Sequence, residues 1–149
     1  MSFKQRVYSA CLELVNEKLK YLNTALDELT AGAQNDSKSS AGDKHETTRA
    51  MMQLEHEKIG RQREEFLRLK KELERIVIAR YSGEVIKGSL IKTNNGYLFL
   101  AIAIGKINIE DIPVTTLSPQ SPLGQKLAGK REGSTVEMNG LIFRIEKIL

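Results

Sequence analysis

The feature that most limits the fold is a narrow apolar seam in a stretch without proline. Tyr8, Leu12, Val15, Leu19, Leu22, Leu26 and Leu29 recur in alternating steps of four and three. That spacing holds one stripe of a helix against a partner helix. No proline occurs before Pro113, and Gly32 and Gly42 are the only glycines before residue 60. A second stripe follows at Met52, Ile59, Phe66, Leu69, Leu73 and Ile76, interrupted in its first half by Glu55 and Gln62. Between them lies TAGAQNDSKSSAGD, whose Gly, Ser, Asn and Asp cap and turn helices rather than continue them. Two seams of similar length with a polar connection predict an antiparallel helical hairpin. About thirty helical residues span roughly 45 Å, so the connection sits at the far end of a long rod.

The pattern changes near residues 81–83. EVIKGSLIK, GYLFLAIAI, STVEMN and LIFRIEKIL are short, β-branched or alternating runs, and TNNG and MNG between them are hairpin-turn signals. SPLGQKLAGK interrupts the strands with one short helix: Ser121 can cap it, Pro122 suits its first turn and Gly129 its stop. The expected fold class is α+β. Residues 1–80 form the coiled-coil hairpin, with its tip near 32–46, and residues 81–149 a small antiparallel-sheet domain with one short helix.

Composition narrows the function classes. Charged residues make up 28% of the chain, aromatics only 5%, and Trp is absent, which favours long solvated faces over one bulky core. The net charge of +4 is spread along the chain, so no basic block marks a duplex-binding stripe. The single Cys11 rules out an internal disulfide and disfavours a zinc cluster. The opening residues lack the apolar core of a secretory leader, and no apolar run approaches the ~18 residues of a membrane span. A cytoplasmic protein with no membrane association is expected.

The candidate chemistry is concentrated at the tip. In SAGDKHETTRA, Asp43 and Glu46 stand three positions apart. If helix two starts near Lys44, Asp43 is its N-cap and Glu46 its third residue, a capping box with Asp in the Ser/Thr position. The same two carboxylates, exposed on one turn, suit a hydrated Mg²⁺ ion once a second molecule supplies further ligands. His45 reads as a solvated loop residue. His56 has no second ligand one helical turn away, and Cys11 reads as a packing residue beside the seam. Arg61 and Arg68, seven apart on one side of helix two, are candidates to face a polyanion. Met51 and Met52 read as packing. No phosphate loop, hydrolase elbow or nucleotide fingerprint is present.

Two of these segments carry a resemblance. SPLGQKLAGKREGSTVEM resembles the C-terminal signature of the Gre-type bacterial transcript cleavage factors: Ser-Pro, a short helix, Gly-Lys, Gly, then a strand. GDKHE resembles that family's tip, where Gly-Asp, two intervening residues and Glu carry the functional acids. Asp43 and Glu46 fall on those positions. The resemblance implies an FKBP-like C-terminal domain and a hairpin that enters the secondary channel of bacterial RNA polymerase. It further implies tip carboxylates that act in trans in the polymerase active centre. There they share a Mg²⁺ ion and promote hydrolysis of the backtracked RNA 3′ segment. In that picture the chain is a monomeric accessory factor, not an enzyme, and binds no cofactor stably alone.

Three alternatives remain open. One is a secondary-channel regulator of the same fold without cleavage activity. A second is an FKBP-like prolyl isomerase, for which Tyr97, Phe99 and Phe143, with Tyr81 at the boundary, are few aromatics for a proline pocket. The third is a purely structural coiled coil that dimerises through its seams.

Overall fold

The structure is a computed structural model that describes the backbone of residues 1–39 and 43–149, and the side chains of 1–32 and 46–149. Two long helices, α1 (Phe3–Ser39) and α2 (Asp43–Glu74), precede a six-stranded sheet and one short helix. The α+β architecture expected from the two hydrophobic periods is the one found. Among the described residues no helix is long and apolar enough to cross a membrane.

The start of α1 is fixed by its own first residues. Ser2 Oγ accepts from the Gln5 N–H at 3.1 Å, and Gln5 Oε1 accepts from the Ser2 N–H at 2.8 Å. This is a reciprocal capping box with Gln in the third position. At its other end α1 continues through Gly32 to Ser39, so much of the polar stretch expected to form the connection is helical. Polar residues differ from Ala in helix propensity by only about 0.7 kcal/mol each, and a favourable neighbour can carry them. Gly32 has such a neighbour: the methyl end of Met52 packs where its Cβ would lie.

The chain divides into two compact units, Leu14–Lys70 on one side and Met1–Glu13 with Lys71–Leu149 on the other. The first is the body of the hairpin. Within it the Lys18 ammonium lies 6.0 Å from the Phe66 ring centre and 5.3 Å from that of Tyr21. The Arg63 Nε donates to Asn23 Oδ1 at 2.6 Å. These contacts descend α1 as they ascend α2, so the pairing is antiparallel. Val15, Leu19, Leu22 and Leu69 are buried, on the seam positions expected. Truncating Leu19 or Leu69 to Ala should cost about 2–5 kcal/mol in urea unfolding. A change below about 0.5 kcal/mol would refute this register.

In the second unit the strand order is β3-β4-β2-β1-β6-β5. The strands are β1 (Leu90–Thr93), β2 (Gly96–Leu100), β3 (Lys106–Ile109), β4 (Ile112–Leu117), β5 (Thr135–Met138) and β6 (Leu141–Ile148), with α3 (Pro122–Leu127) between β4 and β5. The sheet is antiparallel except where β2 runs parallel to β4, a departure from the all-antiparallel expectation. The hairpin β3–β4 is not among the strands expected from pattern. Its turn, Glu110–Asp111, takes two positive φ angles without a glycine, and Pro113 argues against a strand. Pro113 is tolerated because the pairing of β4 with β2 begins only at Val114.

One sheet face buries Ile91, Leu98, Leu100, Leu117, Phe143 and Ile145, together with Leu127 from α3. The helix is held as its sequence suggests. Ser121 Oγ accepts from the Gly124 N–H, Pro122 occupies the first turn, and Gly129 lies just past the end at φ 79°. A Cβ at Gly124 would run into the Ser118 carbonyl, so only glycine fits this close approach.

The other sheet face is also covered. Leu90 and Phe99 are register partners and both fully buried. Tyr97, on the same face as Phe99, meets the Phe3 ring edge-on at 5.1 Å. Val7 and Cys11 continue the Phe3 stripe at steps of four, and both are fully buried. The seam of α1 therefore runs through Val7 and Cys11 at this end, one residue off the expected Tyr8 and Leu12. Tyr8 is half-buried and its hydroxyl donates to the Leu73 carbonyl at 3.0 Å. The helix α2 ends at Glu74, short of the expected seam residue Ile76. Ile76 instead packs against Gly88, whose φ of 95° and close contact both require glycine.

Candidate functional site

The two tip acids open α2. Asp43 is the first residue of the helix, which therefore starts one position earlier than the Lys44 start that would make Asp43 its N-cap. Helix limits vary by a residue, so the start alone does not decide the cap. The side chains of Asp43, Lys44 and His45 lie outside the described residues. Glu46, one turn in, is exposed. Negative charge in a first turn is favoured by the helix dipole, so both acids stand where a helix start tolerates them. Among the described residues no group of three His, Cys, Asp or Glu side chains is placed to hold a metal ion. Asp43 and Glu46 are two carboxylates, too few for a metal site by themselves.

The basic residues on α2 separate. Arg61 is exposed. Arg68 is engaged locally: its Nη2 donates to Glu65 Oε1 at 2.5 Å and its Nε to Glu65 Oε2 at 3.2 Å. That paired hydrogen bond holds the Glu65 carboxyl below the usual carboxylate range. The pair is on the surface, so it adds little stability. Between the two in sequence, Arg63 reaches across to α1, through Asn23. A groove of about 400 Å³, part polar and part apolar, opens along the hairpin, lined among others by Leu19, Lys20, Asn23, Asp27, Leu67 and Lys70. No periodicity singles out Arg63, because its partner lies forty residues away in sequence.

The remaining candidates fall out as packing or surface. His56 is exposed, and Cys11 is buried with its thiol pushed up to about 12 by desolvation, so it stays protonated and inert near neutrality. Met52 packs against Gly32, whereas Met51 is exposed, contrary to the packing role expected for both. Phe99 and Phe143 are buried in the sheet, and the half-buried Tyr97 packs on Phe3. No protein-family model, curated protein or solved structure matches the chain.

Proposed function

We propose that this chain is a Gre-type factor that binds bacterial RNA polymerase, inserts its helical hairpin into the secondary channel and stimulates cleavage of backtracked RNA. The observation that carries the reading is the placement of Asp43 and Glu46 in the opening turn of α2, where two long antiparallel helices are joined. The 32 residues of α2 rise about 48 Å along the helix axis, enough to bring its first turn deep into a channel. The C-terminal sheet unit, FKBP-like in this reading, docks at the channel rim. The site of action is the bacterial cytoplasm, and the chain works as a monomer.

A Mg²⁺ ion shared with the polymerase would supply Lewis acidity at the reacting phosphate. Asp43 and Glu46 are the residues of this chain that would help hold it. Their carboxylates would also accept hydrogen bonds from the attacking water and orient it toward the RNA phosphodiester. As the water oxygen bonds to phosphorus, the P–O bond to the 3′ oxygen of the upstream RNA would break. The water's proton would pass to a carboxylate or to solvent, and the departing 3′ oxygen would take up a proton from solvent. With only two ligands to offer, the chain depends on the polymerase for the rest, so it is an accessory factor and not an enzyme. Arg61, exposed on α2, is available to the polyanionic surroundings of the channel.

Replacing Asp43 or Glu46 by Ala should slow stimulated cleavage by about 10–100-fold, as loss of a metal-supporting group does. Polymerase binding, measured by co-sedimentation, should survive in both variants. Undiminished cleavage in both would assign the chemistry to other residues.

A further inference from the structure

A second interaction surface lies at the opposite edge of the sheet from β3, along β5. We infer that this edge takes up an extended acidic peptide segment as an added strand. The inference is independent of whether the hairpin enters a polymerase. It rests on the backbone of β5, on a groove beside it and on the charge of that groove.

The strand β5 is last in the sheet order, paired only with β6. Asn139 and Gly140, both at positive φ, close a two-residue turn, so Met138 and Leu141 exchange ladder hydrogen bonds, as do Val136 and Phe143. The Ile145 N–H donates to the Ser134 carbonyl at 2.9 Å, which continues the same alternation. Thr135 and Glu137 therefore aim their N–H and C=O groups away from β6. The Glu137 carbonyl confirms this direction, because it accepts from Lys126 Nζ of α3 at 2.8 Å.

Outside that edge is a groove of about 380 Å³. Its lining includes Lys126, Ala128 and Lys130 on one side, and Thr135, Val136 and Glu137 on the other. A helix lying beside an edge strand ordinarily shields it from other chains. Here the space between them is open, and the shield is one flexible lysine. Its charged lining residues are two lysines, Lys126 and Lys130, and one acid, Glu137. A strand entering the groove can bond the outward groups of Thr135 and Glu137, the mode in which peptides extend a sheet. Acidic side chains on that strand give Lys126 a new partner when it releases the Glu137 carbonyl. A basic strand would leave both lysines facing like charge. Four residues of β5 match a partner segment of about 13 Å, four or five residues long.

The test uses the full chain, labelled with ¹⁵N, and a capped eight-residue peptide alternating Glu with Thr and Val. A control peptide carries Lys in place of Glu. Binding of the acidic peptide should slow amide exchange at Thr135 and Glu137, and the basic peptide should not. Lys126→Glu should weaken binding about tenfold, the equivalent of about 1.4 kcal/mol. Thr135→Pro removes an outward N–H but no ladder bond, so the fold persists while peptide binding falls. Three results would each overturn the inference: no protection at the β5 edge, equal binding of both peptides, or unchanged binding in both variants.

Discussion

Phe99→Ala should lower the free energy of unfolding by roughly 3–5 kcal/mol, the largest loss expected from a single side chain here. The ring is fully buried although it sits on the sheet face opposite the main core residues Leu98 and Leu100. An antiparallel sheet often leaves one face to water. This sheet does not, because the first turns of α1 lie in the same compact unit and Phe3 meets the neighbouring Tyr97 edge-on. The large cost of Phe99→Ala is therefore a statement about α1. If the second face were solvated, the same substitution would cost under about 1 kcal/mol. A urea titration distinguishes the two, and Phe3→Ala should shift the midpoint in the same direction by a smaller amount.

Raising the pH from 9 to 12 should remove at most about 4 kcal/mol through Cys11 alone. Burial pushes this thiol up from 9.0 to about 12 in the folded chain. Between those values the folded state keeps a proton that the unfolded state has released. Stability therefore falls as pH rises, being fully present below pH 9 and lost by about pH 12. Tyr8 acts in the same direction, since burial first and the Glu74 charge second raise its phenol above 10.0. Lys4 opposes them. Its ammonium is buried beside the Arg80 carbonyl and its pKa is lowered, so the folded amine releases its proton below 10.5 and the folded state gains relative stability as pH rises toward that value. In Cys11→Ala the alkaline slope should flatten; an unchanged slope would mean that the thiol reaches solvent in the folded chain.

The two hydrophobic periods carried most of the fold. Leu19, Leu22 and Leu69 lie on a seam that spacing alone exposes, and Ser121, Pro122 and Gly129 bracket α3 by local chemistry. Features that depend on distant partners were not legible. Nothing near Phe3 in sequence signals that it will meet Tyr97, and Val7 and Cys11 look peripheral until the rest of their compact unit buries them. The strands β3 and β4 were hidden for another reason: Glu110–Asp111 is an uncommon pair at positive φ, and Pro113 is acceptable only because of where its pairing with β2 begins. At the candidate site, the spacing of Asp43 and Glu46 was legible, and so was their place at the start of a helix. Arg68 could be named from its face of α2, but not its capture by Glu65, because helix spacing makes Glu65 and several other residues equally near.

The most direct test of the proposed function uses a stalled, backtracked elongation complex from the same host, with RNA labelled at its 5′ end. Purified protein is added with Mg²⁺ and RNA length is followed over time. Rapid shortening of the RNA is expected, and it should be slowed about 10–100-fold in Asp43→Ala. Unchanged RNA length, with the protein shown by co-sedimentation to be bound, would contradict a role in cleavage and leave a hairpin that regulates by occupying the channel.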